Sequence, residues 1–161
     1  MGASMKKITE YTTRPIVLND NDIQTFKVKM IPVAKGRPRF VKKTGRTYTP
    51  QKTREATKEL SEYLSLRKRG TIPKVEGKNR YAVAVYCRFY CPRPKSLGHG
   101  PAVLKQTKPD IDNYLKLVLD ACNDAKMWHD DSMVVELLGQ KWYCASNQEP
   151  QIQIQVSKLC I

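Results

Sequence analysis

The run Tyr81 to Cys91, YAVAVYCRFYC, has Arg88 as its only charge and constrains the fold more than any other part of the chain. Read as a strand, it puts Tyr81, Val83, Val85, Cys87, Phe89 and Cys91 on one face and Ala82, Ala84, Tyr86, Arg88 and Tyr90 on the other. A strand apolar on both faces needs cover on both sides, so this one is expected at the centre of a sheet. The neighbours it needs are also legible. Residues 26–33, FKVKMIPV, alternate apolar with basic and predict a half-buried strand ended by Pro32. Ser132 to Tyr143 predicts a second strand broken near Gly139, and QIQIQVS points Ile152, Ile154 and Val156 to a buried face.

Helical spacing appears twice. Thr49 and Pro50 suit an N-cap and first helical position, and Ala56, Leu60, Tyr63 and Leu64 follow, predicting a helix over about 50–66. In KPDIDNYLKLVLDACNDAK, Ile111, Leu115, Val118, Leu119 and Cys122 share one face, so a second helix starts near Asp110 and packs on the sheet. The expected class is α+β with α/β-like features: a single domain, residues 1–161, whose mixed β-sheet of at least four strands carries two helices. A chain of this length can bury one sizeable core. Residues 1–20 are expected to be a loosely ordered N-terminal segment, and the opening MGAS ahead of Met5 reads as a cloning scar. No repeat or low-complexity segment divides the chain.

Twenty-nine Lys and Arg against 15 Asp and Glu give a formal charge of +14, a field that attracts polyanions, nucleic acid first. No apolar run approaches the ~20 residues of a membrane span, and no secretory signal pattern opens the chain, so a cytoplasmic protein is expected. Five cysteines without C-x-x-C spacing suit buried, reduced thiols rather than a disulfide framework or zinc site.

The basic charge is not spread evenly. Residues 35–54 hold eight basic side chains and no acid, with Phe40 and Tyr48 among them; residues 67–80 hold six against one acid. Residues 92–108 carry only basic charge and read as a flexible loop on the substrate side. Lys35, Arg37, Arg39, Lys42, Lys43 and Arg46, with Lys105 and Lys108, are the expected DNA contacts.

Against this background, seven of the acids fall between Asp110 and Glu136. Asp110 and Asp112 sit at the start of the second helix, where one Asp would serve as a cap. A second carboxylate two residues on costs repulsion unless a cation is shared, and hard cations such as Mg²⁺ take oxygen ligands. Lys116 lies one helical turn beyond Asp112, within reach of its carboxylate or of a phosphate beside it. Asp130 and Asp131 precede the next strand; adjacent residues point oppositely, so one of them faces the first pair, and spacing does not say which. His129 in this polar turn and His99 read as incidental, and Trp128 and Trp142 as core or interface residues.

KPDIDNYLK, the following VLDA, and WHDD resemble the RusA family of Holliday-junction resolvases, dimeric nucleases of phages and bacteria. The match is close over residues 107–135; KMIPVAKGRPR and TYTP resemble the family's N-terminal half more loosely. The resemblance implies that Asp110, Asp112 and Asp131 are metal-binding aspartates and Lys116 the catalytic lysine. It gives Asn113 and Asp120 supporting roles and leaves Asp130 a weaker candidate. Met133 departs from the pattern, many members having Gln there. The implied activity is Mg²⁺-dependent hydrolysis, with Mn²⁺ as a possible substitute. A homodimer would nick opposed strands of a four-way junction in a bacterial or phage-infected cell, leaving 5′-phosphate and 3′-hydroxyl ends. Two rivals share parts of the evidence: a non-catalytic basic nucleic-acid-binding protein, which leaves the clustered acids without a use, and a nuclease for flaps or other branched DNA.

Overall fold

In a computed structural model, residues 22–43, 45–75 and 80–160 are described. The expected N-terminal segment, residues 1–20, lies outside them. Tyr81–Cys91 forms the longest strand and takes the middle of a five-stranded sheet. The chain order is β1 (Ile23–Val28), β2 (Arg39–Val41), β3 (Arg46–Tyr48), α1 (Gln51–Arg67), β4 (Tyr81–Cys91), β5 (Val103–Leu104), α2 (Ile111–Asp124), β6 (Val134–Tyr143) and β7 (Gln151–Cys160). The sheet runs β1-β7-β4-β6-β5, with β4 and β6 parallel and the other pairs antiparallel. β2 and β3 form a separate two-stranded ribbon. The expected single-domain α+β class is the one observed.

Val83, Val85, Cys87 and Phe89 of β4 join Ile152, Ile154 and Val156 of β7, Phe26 and Val28 of β1, and both helices in one core. Burying such side chains contributes about 1.5–3 kcal/mol each, which is why the two apolar strands and the helices cannot stay apart. The other face of β4 carries only a small cluster, Ala82 and Ala84 with Leu159. Four of the five cysteines are buried, Cys160 being exposed; burial pushes the Cys87 thiol up to about 12, so it stays protonated and inert.

Several boundaries differ from expectation for identifiable reasons. β1 covers Ile23–Val28 rather than 26–33: its pairing with β7 runs from Ile23↔Ser157 to Val28↔Ile152, one residue from the start of β7 at Gln151. α1 starts one residue later than expected, with Pro50 rather than Thr49 at the cap and no side-chain cap bond. β6 is not broken at Gly139. Its irregularity lies at the start, where the register against β4 shifts between Val83 and Ala84. Gly139 is needed for another reason: a Cβ there would stand 3.0 Å from the Leu115 methyls, so its absence lets α2 lie close on β6. α2 also buries a broader face than expected, Tyr114, Leu117, Val118, Ala121 and Cys122, because it packs on α1 as well as on the sheet. Ile111, Leu115 and Leu119 flank that face, half-buried.

The loop over residues 92–108 is tied down. Arg93 donates to the carbonyls of Leu97, Gly98, Pro101 and Cys144. No helix among the described residues is long and apolar enough to cross a membrane.

Candidate active site at the start of α2

Asp110 occupies the N-cap of α2 in extended backbone, yet its side chain makes no cap bond. The helix start is held from below instead. Lys141 of β6 donates to the carbonyls of Thr107 and Pro109, both at 2.7 Å. Lys105 donates to Thr107 O at 2.7 Å, Thr107 Oγ1 at 2.9 Å and the Lys108 carbonyl. Thr107 Oγ1 also bonds the Tyr143 hydroxyl at 2.7 Å. Two ammonium groups thus satisfy the carbonyls just before Asp110, and its carboxylate is left over from the structural work.

Lys105 is therefore only 8% exposed. Its expected place as a DNA contact is corrected: the ammonium is spent on the loop's carbonyls, which a buried charge needs. Lys141 was not legible as a site residue. The available signal was a lysine on the helix-facing side of β6, in line with Leu137, Gly139 and Tyr143.

One turn into the helix, Lys116 Nζ stands 3.0 Å from Asp112 Oδ2, the two side chains being 58% and 57% exposed. The bond from Lys116 holds the Asp112 carboxyl below its ordinary value, so it stays ionised at neutral pH. At the other end, Asp130 caps the 3-10 turn Asp131–Met133, accepting from the Ser132 N–H at 2.8 Å. The Ser132 side chain first, and this backbone bond second, lower the Asp130 carboxyl. Of the adjacent pair it is Asp131 that lines a cavity of about 380 Å³ together with Lys116, Asp120 and Glu136. Lys116 thus borders both acidic groups. Among the described residues no three His, Cys, Asp or Glu side chains are gathered tightly enough to hold a metal ion. The donors are nevertheless all oxygen, exposed, and in Asp110 free of a capping role, which fits a hard divalent cation in kind.

The expected basic residues divide into an anchor and a display. The Lys35 N–H donates to Asn113 O at 2.8 Å, and Lys35 Nζ pairs with Asp120 Oδ2 at 2.5 Å, fixing this segment to the outside of α2. Gly36 N–H donates to Thr53 Oγ1 at 3.1 Å, and a Cβ at Gly36 would meet Pro50 Cγ at 3.0 Å, so α1 holds it from the other side. Beyond this anchor, Arg37, Lys42, Lys43 and Arg46 are exposed on or beside the β2–β3 ribbon, as are Phe40 and Tyr48; Arg39 lies in β2 and Lys108 is exposed. His99 and His129 are exposed; Trp128 is core, its Nε1 donating to Asn123 Oδ1 at 2.6 Å, and Trp142 stacks on Tyr90.

The chain is 30% identical over 149 residues to a Bacillus subtilis (strain 168) protein described as "Uncharacterized protein YqaN", covering 86% of this chain and 98% of that one. The family model described as "Endodeoxyribonuclease RusA" matches residues 29–157, from the end of β1 to near the end of β7, a span that contains both helices and every acid and lysine discussed above. The chain therefore belongs to the RusA endodeoxyribonuclease family, whose members act on Holliday junctions.

Proposed function

We propose that this protein is a divalent-cation-dependent nuclease that resolves four-way DNA junctions by paired nicks, with Asp110, Asp112 and Asp131 holding Mg²⁺ or Mn²⁺. The observation that carries the proposal is the Lys116 ammonium, bonded to Asp112 and bordering the cavity of Asp131, beside an exposed basic ribbon. When bound, such a cation supplies Lewis acidity toward a phosphoryl oxygen and an acidified water, worth several kcal/mol in the transition state. Lys116, released from Asp112 by the incoming phosphate, donates to a non-bridging oxygen as charge builds there. Water oxygen bonds to phosphorus as the P–O3′ bond breaks; its proton passes to solvent, and the 3′ oxygen takes one up. The ends are a 5′-phosphate and a 3′-hydroxyl.

Arg37, Arg39, Lys42, Lys43, Arg46 and Lys108 grip the junction arms, so affinity falls steeply with salt. A homodimer gives two sites for the two opposed strands. Support comes from β6: among the described residues no strand pairs with Val134–Gln140 on the side away from β4, and Val135, Leu137 and Leu138 are exposed there. A single-chain mass in equilibrium sedimentation at working concentration would remove this part of the proposal.

The test is cleavage of a labelled four-way junction, a flap and a linear duplex, each with Mg²⁺, Mn²⁺ or chelator. Symmetric nicks in the junction, lost with chelator, are expected; comparable flap cutting would broaden the substrate, and binding without cleavage under any metal would leave a DNA-binding protein. The lysine clasp adds a second expectation. Lys141→Met frees the carbonyls before Asp110 and is expected to cut single-turnover cleavage by roughly 10- to 100-fold, the scale of a small misplacement of reacting groups. Junction affinity should change little and Lys141→Arg should restore part of the rate; equal loss of binding and cleavage would contradict the positioning role.

A further inference from the structure

We propose that the cleft between α1 and α2 is a second phosphate-binding site, which carries the backbone of the cut strand away from Lys116; this rests on the junction-nuclease reading above. The cleft has a volume of about 520 Å³, and among the described residues every side chain lining it is polar. Asp120 and Asn123 line both this cleft and the cavity of Lys116 and Asp131, so the two adjoin. Eight residues of helix separate Lys116 from Asp124, about 12 Å of rise, so a phosphate in the cleft lies within a few nucleotides of one at Lys116.

The chemistry of the walls selects an anion. α1 contributes Arg54, which has no acidic partner among the described residues, and Lys58, whose contact with Glu62 is long at 3.8 Å and exposed. Thr53 Oγ1 accepts from Gly36 N–H and so keeps its own proton to donate. On the α2 wall, Asn123 Oδ1 is taken by Trp128, which leaves its NH₂ as the free end, and Lys35 neutralises Asp120. Guanidinium, ammonium, hydroxyl and amide donors together suit a phosphodiester. Asp124 alone opposes it, lining the same cleft with no ion-pair partner among the described residues.

That opposition makes the inference testable with the full-length protein. Affinity for a labelled four-way junction is measured by anisotropy over a range of salt, with chelator present to prevent cutting. Arg54→Gln combined with Lys58→Gln should weaken binding roughly tenfold or more and flatten the log affinity against log salt slope by about 1.8, two phosphate contacts' worth. Asp124→Asn should tighten binding, whereas Glu59→Gln, which removes the same charge outside the cleft, should not. An unchanged slope in the double variant, or equal effects of Asp124→Asn and Glu59→Gln, would overturn the proposal. Failure of the parent protein to cut any junction with metal would instead overturn the nuclease reading, leaving these binding results to stand or fall separately.

Discussion

Asp112→Asn is expected to abolish cleavage, by on the order of a hundredfold to a thousandfold or more, while leaving junction binding intact or slightly tighter. The substitution keeps the shape and the hydrogen-bond reach to Lys116 but removes the charge that a shared cation needs. Binding should not suffer, because the grip is assigned to the ribbon and because one negative charge is lost from a surface that faces DNA. The side chain is 57% exposed, and its pair with Lys116 and its place in the first turn contribute only a few tenths of a kcal/mol each, so the melting temperature should nearly hold. Single-turnover cleavage, anisotropy and thermal unfolding on the same sample separate these effects. A variant that cuts at the parental rate would remove Asp112 from the site.

Leu117→Ala carries the largest expected loss of stability. Leu117 is fully buried at the centre of α2, where the helix packs on both the sheet and α1. Deleting its methyls leaves a cavity between three elements that cannot all move in together, a loss of about 2–5 kcal/mol. In a domain of this size that lowers the melting temperature by roughly 5–15 °C. Leu66→Ala is the internal control: at 82% exposure the same deletion should stay within about 0.5 kcal/mol of the parent. Equal melting of the two variants would contradict the described core. Asp112 and Leu117 lie on the same helix, Leu117 five residues on and next to Lys116, so α2 holds the fold with one face and the chemistry with the other.

That division explains what was legible from sequence. The central strand could be read because apolarity on both faces has few structural uses, and the alternation in β7 because one face is core. The α2 face was read too narrowly: periodicity reports one buried stripe, whereas this helix has two partners and buries Tyr114 and Ala121 as well. β1 was misplaced by its own pattern, since where a strand lies depends on its neighbour in the sheet, and the pairing with β7 covers Ile23 to Val28.

In the candidate site, Asp110, Asp112, Lys116 and Asp131 stood out as acids and a lysine in an odd spacing on a basic chain. What no spacing could show was the division of labour between neighbours. Asp130 is taken by the Ser132 N–H while Asp131 faces the cavity, and the loop's own Lys105 shares the work of holding it with Lys141, which reaches in from β6, far away in sequence. Such roles depend on which carbonyls the folded chain leaves exposed, and those are set only when β5, β6 and α2 meet.

The central claim is that the three aspartates share a divalent cation, and it can be tested without any DNA. Titration of Mn²⁺ into the metal-free protein, read by loss of the free-ion electron paramagnetic resonance signal, measures that site in the parent, Asp112→Asn and Asp131→Asn. One saturable site per chain in the parent, weakened at least tenfold in either variant, is the expected result; equal Mn²⁺ binding by all three proteins would contradict the account.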